Sequence, residues 1–396
     1  MRWRVRNPKE AARTQKTAKT AETAGARPQD EIYYTQVVVI TAMIVFATGF
    51  LAAARILVPV AGTAAWMAAL IGGAIGLGIG GLAGMLAGRF PGHSLVRMAE
   101  RIFGAPLGKL IGLTFAAYCT VVLGLGSRQS VLAMWIAFLQ TTPPVLISAV
   151  FYALVIYAAY LGIGAIARVS LIFFSLVVVS LVVLTALAVP VAAPGRLLPI
   201  VGNGLGPLIR AGFLAASYAG ESIVVLAFLR HLKDKRGASR AMATGVAVGM
   251  VVMAVATGFG VMMLGVRGIS RVTFPVLETA RMVGFGQFLE RAEILFLALW
   301  FSAALLKLAT VFYASITSIA DVLGLRDYRP LVIPYALLGT ALSLIPESVL
   351  ETFDYLDVFV KYSVWYAIAL PVVLLLGAVV LGRRGGDDHV QSKDAH

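Results

Sequence analysis

Long apolar runs follow one another along most of the chain, and this feature most limits how it can fold. Several runs reach about 20 residues, the length that an α-helix needs to cross the hydrocarbon core of a bilayer. The runs are continuous and do not alternate apolar with polar residues, which argues against a transmembrane β-barrel. Only 13% of the residues are charged and the mean hydropathy is +0.90, whereas soluble domains carry about 25% charged residues. The sequence therefore predicts an all-α polytopic membrane protein.

Ten transmembrane helices are expected, with boundaries placed to within about four residues. The predicted spans, numbered 1 to 10, are 34–59, 63–88, 107–138, 143–161, 166–189, 208–229, 238–264, 288–320, 330–346 and 357–381. Cytoplasmic loops are enriched in Lys and Arg, and 23 of the 33 basic residues fall in segments that this topology places in the cytoplasm. Both termini are therefore expected to be cytoplasmic. Because topology accounts for the net charge of +14, the basic composition does not indicate binding to nucleic acid.

The chain is expected to have three parts. Residues 1–31 are predicted to be a disordered basic cytoplasmic tail, residues 32–384 a ten-helix transporter-like membrane domain, and residues 385–396 a polar cytoplasmic tail. The first tail lacks the apolar centre of a secretory signal. A short helix lying on anionic membrane lipid is the alternative for this tail.

Two signs indicate that the ten spans form two halves of five, the second inverted relative to the first, as in many transporters. Spans 1 and 6, the first of each half, are both interrupted in the middle. The connections after spans 2 and 7 contain FPGHSLVRMA from Phe90 and FPVLETARMV from Phe274, which match without a gap at four positions of ten. Short amphipathic helices on opposite surfaces would fit this match, and chance is the alternative.

The interruptions are the predicted substrate site. Span 1 carries Thr48-Gly49-Phe50, and span 6 carries Tyr218-Ala219-Gly220-Glu221-Ser222. Where a membrane helix unwinds, the ends of its two halves expose N–H and C=O groups that attract anions and cations respectively. Two such breaks can bind a zwitterion, with Gly49 and Gly220 allowing the backbone to unwind. The alternative is that both are ordinary packing glycines.

Glu221 and Lys307 are the two charges predicted to lie deepest in the membrane. Both fall near the midplane of spans that run in the same direction, so an ion pair between them is feasible, and pairing lowers the cost of burying each charge. Glu221 is expected to contact a substrate amine, a cation or a proton. The alternative is a structural pair that only orients the helices. Tyr118 in span 3 and Trp300 in span 8 are candidates for the walls of the same cavity.

Two arginines fall in the outer half of the predicted topology. Arg128 follows small residues in span 3, and an arginine there can bind a ligand carboxylate through two parallel hydrogen bonds or lock an outer gate. An interhelical structural bond is the alternative for Arg128. Arg55 is a gate candidate together with Phe274 and Glu278, and the alternative for Arg55 is a side chain that extends to the outer headgroups.

Enzyme motifs are missing from the sequence. It contains no phosphate-binding loop, no metal-spaced His/Cys group and no nucleophile elbow. The four histidines lie near predicted cytoplasmic surfaces, and Cys119, the one cysteine, lies in an apolar run. The sequence therefore predicts a protein that is not an enzyme and needs no cofactor.

A series of short motifs extends from about residue 33 to residue 384. They are GTAAW at Gly62 to Trp66, Phe90-Pro91, Arg128, TTPP from Thr141, GIGAIAR at Gly162 to Arg168, Leu197 to Pro199, Gly220-Glu221, FPVLE at Phe274 to Glu278, and LERAEILFLALW at Leu289 to Trp300. In this order, they resemble the membrane-embedded B subunit of bacterial spore germinant receptors. The long basic N-terminal tail departs from the short N-terminus expected in that family.

This resemblance implies membership of the amino acid–polyamine–organocation superfamily, with a five-plus-five inverted repeat and broken helices 1 and 6. It further implies a subunit of the spore inner membrane, or cell membrane, that binds a small nutrient, often an amino acid. The implied partners are a larger A subunit and a lipoprotein C subunit, and ion movement would follow binding. The pocket would fall around Thr48, Gly49, Phe50, Tyr218 and Glu221, with spans 3 and 8 as walls. An amino-acid or polyamine permease that works by alternating access is the alternative.

Overall fold

A computed structural model describes residues 30–233, 237–282 and 292–384, with side chains from residue 298 onward in the last stretch. Residues 1–29 and 385–396 lie outside the described residues, so the two predicted tails stay predictions. The α-helices are α1 (Tyr34–Phe46), α2 (Gly49–Ala61), α3 (Ala65–Arg89), α4 (Leu95–Phe103), α5 (Ala105–Ala137), α6 (Pro144–Leu161), α7 (Ile163–Ala188), α8 (Leu205–Gly220), α9 (Ala238–Ile269), α10 (Pro275–Met282), α11 (Ala292–Leu323), α12 (Val332–Leu344) and α13 (Val349–Val380). Short 3-10 helices occupy Gly62–Ala64, Pro194–Leu197, Glu221–Ala227, Leu229–His231 and Arg329–Leu331.

The polytopic helical class is confirmed. Within the described ranges, eight helical stretches are long and apolar enough to cross a membrane, and two shorter apolar ones cover Tyr34–Phe46 and Arg329–Leu344. Each predicted span overlaps one of these helices. The count of ten crossings stays a prediction, because α1 is too short to cross a bilayer except in continuation with α2.

Single glycines separate some consecutive helices. Gly162 has φ of 85°, in the left-handed region that glycine adopts without steric penalty, so α6 ends and α7 begins at this one residue. Gly62, with φ of 62°, ends α2 before the 3-10 turn that leads into α3. These sharp turns return the chain through the membrane domain without long loops.

The helices pack in a pattern that repeats between the two halves of the chain. Helix α9 packs against α1 as α3 packs against α8, and α11 packs against α6 as α5 packs against α12. Helix α7 lies against α1, and its counterpart α13 lies against α8. Each of these contacts between two spans therefore has a counterpart between the equivalent spans of the other half, as the predicted five-plus-five repeat requires.

Two short helices follow the matching FP sequences, as predicted. Helix α4 begins after Ser94, whose Oγ accepts a hydrogen bond from Arg97 N at 3.4 Å, and α10 begins at Pro275. Helix α4 packs against α5 and the 3-10 half of span 6, whereas α10 packs against α11 and α2. These positions are equivalent in the two halves, so the sequence match reflects the repeat.

The last helix begins eight residues before the predicted start of span 10 at 357, because α13 starts at Val349. Ser348 accepts a hydrogen bond from Glu351 N at 3.1 Å, and the Glu351 carboxylate accepts one from Glu347 N at 2.8 Å. A serine followed three residues later by glutamate is a strong helix start. The acidic segment predicted as an outer loop therefore forms the first turns of α13.

Candidate functional site

The first break lies at Ala47 and Thr48, between α1 and α2. Two carbonyls at this break accept hydrogen bonds from other helices: Ala47 O from Trp300 Nε1 at 2.6 Å and Thr48 O from Gln129 Nε2 at 2.9 Å. Both donors are buried. Helix α11, which carries Trp300, and helix α5, which carries Gln129, therefore satisfy the backbone groups that the break exposes. Gln129 was not among the predicted site residues, although an amide next to Arg128 in an apolar span was a signal.

The second break is a change of helix type. Helix α8 ends at Gly220, a 3-10 helix runs over Glu221–Ala227, and Phe228 follows with φ of −124° and ψ of 10°. Glu221 itself has φ of −58° and ψ of −16°. The predicted interruption of span 6 is therefore present as a change of helix type, in which the backbone tightens into 3-10 turns instead of unwinding.

The two break glycines act through close packing. Neither Gly49 nor Gly220 has a positive φ. A Cβ at Gly49 would lie 2.5 Å from Met253 Cε and 2.9 Å from a Tyr218 ring carbon, and a Cβ at Gly220 would lie 2.7 Å from Ala367 Cβ. The hypothesis that glycine is needed there for backbone freedom is wrong, since both backbones are helical and the neighbouring helices leave no room for a side chain.

A buried ion pair joins the two breaks. Lys307 Nζ lies 2.7 Å from Glu221 Oε2, and both side chains are almost fully buried. Lys307 Nζ also donates a hydrogen bond to Thr48 Oγ1. A carboxylate oxygen can accept more than one hydrogen bond, and the contact with Lys307 is the one recorded for Glu221 Oε2 within the described residues, so this oxygen still offers an acceptor. Lys307 thus holds the first break through a hydroxyl and the second through a carboxylate.

Hydroxyl groups without partners surround the second break. The buried hydroxyls of Tyr118, Tyr218, Ser222 and Ser363 make no hydrogen bond within the described part of the chain. Glu221 acts electrostatically on Tyr118 and Tyr218. Buried polar groups nearly always have hydrogen-bond partners, so this cluster is polar and unsatisfied. A ligand with both donors and acceptors would satisfy it.

Other predicted residues lie at the edges of this arrangement. The Tyr118 ring stacks on Tyr366 of α13, with centroids 4.9 Å apart. Ala219 faces α3, where a Cβ at Gly76 would lie 2.3 Å from its own Cβ, so Ala219 packs helices and does not line the cavity. Phe50 borders a narrow, mostly apolar cleft between α7, α9 and α10.

The outer closure is built around Arg55. Its guanidinium donates to Val272 O at 2.8 Å and lies 4.4 Å from the centroid of the Phe353 ring, which in turn packs against Phe274 at 6.0 Å. Arg55 therefore joins α2, the segment before α10 and the first turns of α13. Arg55 is therefore engaged within the protein, whereas the alternative had its side chain extend to the headgroups. Glu278, the third gate candidate, pairs with Arg281 of its own helix at 3.1 Å and takes no part in these contacts.

An inner closure, which the sequence did not predict, joins four elements at the opposite end. Asp321 at the end of α11 accepts from Ser94 Oγ at 2.6 Å and lies 3.3 Å from Arg230. Ile32 pairs with the segment after span 6, with Ile32 N donating to His231 O and Lys233 N donating to Ile32 O, both at 3.0 Å. We call these contacts the inner latch. The residues that form it are polar loop residues far apart in sequence, and no local pattern indicates that they meet.

His231 is the buried titratable group of the inner latch. Burial and the neighbouring Arg230 lower the pKa of His231 to about 3, and Arg230 Nε lies 3.3 Å from His231 Nε2. The imidazole is therefore neutral in the closed latch. His231 is only 5% exposed, although it lies near the surface that the topology predicts to be cytoplasmic.

Arg128 is the predicted site residue without an observed partner. Its side chain is buried, its Nε makes no hydrogen bond, and no acidic residue within the described ranges forms an ion pair with it. The alternative of an interhelical structural bond is therefore not observed. The same ranges contain no cluster of three or more His, Cys, Asp or Glu that would hold a metal ion.

Comparison with known sequences gives one family. The family model described as spore germination protein matches residues 31–349. The chain is 23% identical to spore germination protein KB of Bacillus subtilis (strain 168) over 281 residues, which cover 70% of this chain and 75% of that protein. It is also 23% identical to spore germination protein YndE of the same strain over 321 residues, covering 78% and 86%.

Comparison with solved structures gives a transporter fold. A closed conformation of Mhp1, a nucleobase-cation-symport-1 family transporter with bromovinylhydantoin bound, matches 90% of this chain and 82% of its own, with a TM-score of 0.68 and 16% identity. MhsT in complex with L-phenylalanine matches 89% and 91%, with a TM-score of 0.68 and 18% identity. A manganese transporter of Eremococcus coleocola matches 87% and 78%, with a TM-score of 0.62 and 12% identity. The chain shares the fold of these proteins.

Proposed function

The chain belongs to the spore germination protein family, and from this premise we propose that it is the membrane subunit of a spore germinant receptor. In this proposal a small nutrient, an amino acid by class, binds at the junction of the two breaks and triggers germination. The fold is that of transporters, and a subunit that binds a nutrient at the centre of such a fold would use the same breaks that transporters use.

The observation that carries this proposal is the buried pair of Glu221 and Lys307. Together with Thr48, it connects both breaks through one ammonium group. A buried pair is weak support for stability, since hydrophobic residues of similar volume often stabilise as well or better. An ionisable residue inside the membrane therefore points to function.

The geometry suggests how an amino acid would bind. Glu221 Oε2 keeps an acceptor site that suits the ligand's ammonium group through a charge-assisted hydrogen bond. Once the ammonium shares Glu221, Lys307 is held less tightly and its bond to Thr48 can rearrange. Ligand binding would thereby change the contact between the two broken helices, and this is the change that the receptor would transmit.

Partners and location follow from the family. We infer that the chain assembles with a larger A subunit and a lipoprotein C subunit in the spore inner membrane, with both termini in the cytoplasm. Its movement in this assembly would allow ions to flow. The many apolar helices agree with a multi-pass membrane protein.

Three variants test the role of Glu221. In lipid nanodiscs, binding of a panel of the twenty L-amino acids is measured for wild type, Glu221→Gln and Lys307→Met. The proposal expects Glu221→Gln to weaken the tightest binder by about 10- to 100-fold, the loss of a hydrogen bond to a charged group, while Lys307→Met still binds. Glu100→Gln, which removes the exposed pair with Arg97, is the matched control.

The double variant separates a ligand role from a structural one. Equal loss of folded protein in both single variants, with recovery in the double variant, would make the pair structural and remove the support for this site. A panel in which no amino acid binds the wild type would contradict the proposed ligand class.

A permease is the second candidate, and the two closures favour it. The outer closure at Arg55 and the inner latch lie at opposite ends of the site, as alternating access requires. Purified chain in liposomes decides between the two. Robust uptake of the bound amino acid by the chain alone would support the permease, whereas binding without uptake supports the receptor subunit.

A further inference from the structure

Buried polar atoms without hydrogen bonds concentrate on three elements. Within the described residues, six of the eight such side-chain atoms lie on α5, span 6 and α13. They are Arg128 Nε, Tyr118 OH, Tyr218 OH, Glu221 Oε2, Ser222 Oγ and Ser363 Oγ. Because each unsatisfied buried group costs about 1–3 kcal/mol, their concentration on these elements indicates where a polar ligand would be accepted.

Arg128 stands out among its neighbours on α5. Ser127 Oγ lies 2.9 Å from the Tyr152 hydroxyl, Gln129 donates to Thr48 O at 2.9 Å, and Ser130 donates to Gly126 O at 2.8 Å. The polar side chains on both sides of Arg128 are therefore committed to holding the helix in place. Arg128, which is only 6% exposed, makes no such bond within the described residues.

The chemistry of the guanidinium indicates what it would bind. It offers five N–H donors in a planar fork that matches a carboxylate. Glu351 is the acidic group that acts on Arg128 electrostatically, but the Glu351 carboxylate already accepts from Glu347 N at the start of α13. Glu351 thus lowers the cost of burying Arg128 without occupying its donors.

Arg128 lies farther out along α5 than Tyr118. The two residues are ten apart, which is about 15 Å along the helix, and span 3 runs outward in the predicted topology. A ligand that enters from outside would therefore reach Arg128 before it reaches Tyr118 and the unsatisfied hydroxyls around the second break.

We propose that Arg128 forms an outer first-contact site that selects a carboxylate before the ligand moves between α5 and α13 to Glu221. This inference rests on the proposed function, because it assumes an amino acid whose ammonium group ends beside Glu221. The proposal narrows the ligand class to small molecules that have a free carboxylate, and it excludes simple amines.

Association kinetics test the proposal. The probes are the tightest binder among the twenty L-amino acids and its primary amide, which keeps the ammonium group but lacks the carboxylate. In nanodiscs at low salt, Arg128→Gln is expected to lower the association rate constant of the amino acid about 5- to 10-fold, since a steering charge acts mainly on association. The association rate constant of the amide, which is a net cation, should not fall, because the arginine that is lost repels it. Arg128→Lys keeps the charge but not the fork and should fall between the two.

Arg55→Gln is the matched control, because it removes the other outer arginine, which is already engaged with Val272 O and Phe353. Its effect should be the same for the amino acid and the amide. An unchanged association rate of the amino acid in Arg128→Gln, at equal folded fraction, would overturn the proposal. If Arg128→Gln does not fold, equal rates for amino acid and amide in the wild type overturn it. If no amino acid binds the wild type, the proposed function itself fails.

Discussion

At the scale of the residue, small side chains decide how closely the broken helices approach their neighbours. Helix α3 lies between α8 and α9, and its glycines face them directly: a Cβ at Gly72 would lie 2.7 Å from the backbone of α8, and one at Gly84 2.3 Å from Ser239 Cα of α9. Glycine at such positions lets helix backbones pack closely in membranes. The position of both breaks therefore depends on residues that carry no chemistry.

Gly84→Ala tests this packing. The added methyl group meets backbone atoms that cannot rotate away, so the variant should lose about 1–3 kcal/mol of stability, as overpacked cores do. Thermal unfolding in detergent measures the loss as a lower Tm. Gly81→Ala on the same helix is the control, because its Cβ would meet no atom within 4 Å and alanine is the better helix former. Equal Tm values for both variants would contradict the close-packing argument.

At the scale of the element, contacts at opposite ends of the two broken helices join them to their neighbours. The outer closure joins α2 to α13, and the inner latch joins the N-terminal segment at Ile32 to the 3-10 end of span 6. Lys307 connects the two breaks between them. Opening either end must therefore act on the same pair of helices, which gives the fold a means to relay ligand binding to its surfaces.

His231 makes the inner latch sensitive to acid. Its pKa is about 3 in the closed latch and close to 6.5 when exposed, so below pH 6.5 the open latch takes up a proton that the closed latch does not. The stability of the latch is fully present above pH 6.5 and falls as the pH drops toward 3. Labelling of Ile32→Cys in a Cys119→Ser background, normalised to Asp327→Cys, should rise about 20-fold from pH 7 to pH 5.

Two further substitutions serve as controls for this prediction. His231→Gln should remove most of the dependence on pH, because the titrating group is lost. Asp321→Asn should raise labelling at both pH values, since it weakens the contacts with Ser94 and Arg230. A pH dependence that survives in His231→Gln would assign the effect to another group.

At the scale of the whole molecule, the repeat and the basic residues together predict the topology. The halves pack in the same pattern, and the predicted even number of crossings would place both termini on one side of the membrane. A fluorescent reporter fused after Arg384 should fluoresce like one fused at the N-terminus, which requires folding in the cytoplasm. The matched control places the reporter in the turn at Gln140, predicted outside, and should stay dark. A dark C-terminal fusion would contradict the count of ten.

Much of this architecture was predictable because a helix that crosses a membrane needs a long run of apolar residues. Apolar length located the membrane helices of the ten predicted spans, and the matching FP segments identified α4 and α10 as equivalent. The Glu221–Lys307 contact was foreseen because two charges at similar depth have few other partners in lipid. The start of α13 was missed because charged residues at its first turns resemble a loop, although the Ser348 and Glu351 pair is a capping signal.

What the sequence determined by itself was the class of fold, the position of the breaks and the charges near them, since these follow from hydrophobic length and from the cost of burying charge. Tertiary structure alone decided what each polar group touches. Only the folded chain brings Trp300 and Gln129 to the carbonyls of the first break and closes the inner latch around Asp321. Among the residues that the structure describes, it leaves Arg128 without a hydrogen-bond partner. These contacts join residues far apart in sequence, so their geometry depends on how whole helices pack and not on any local pattern.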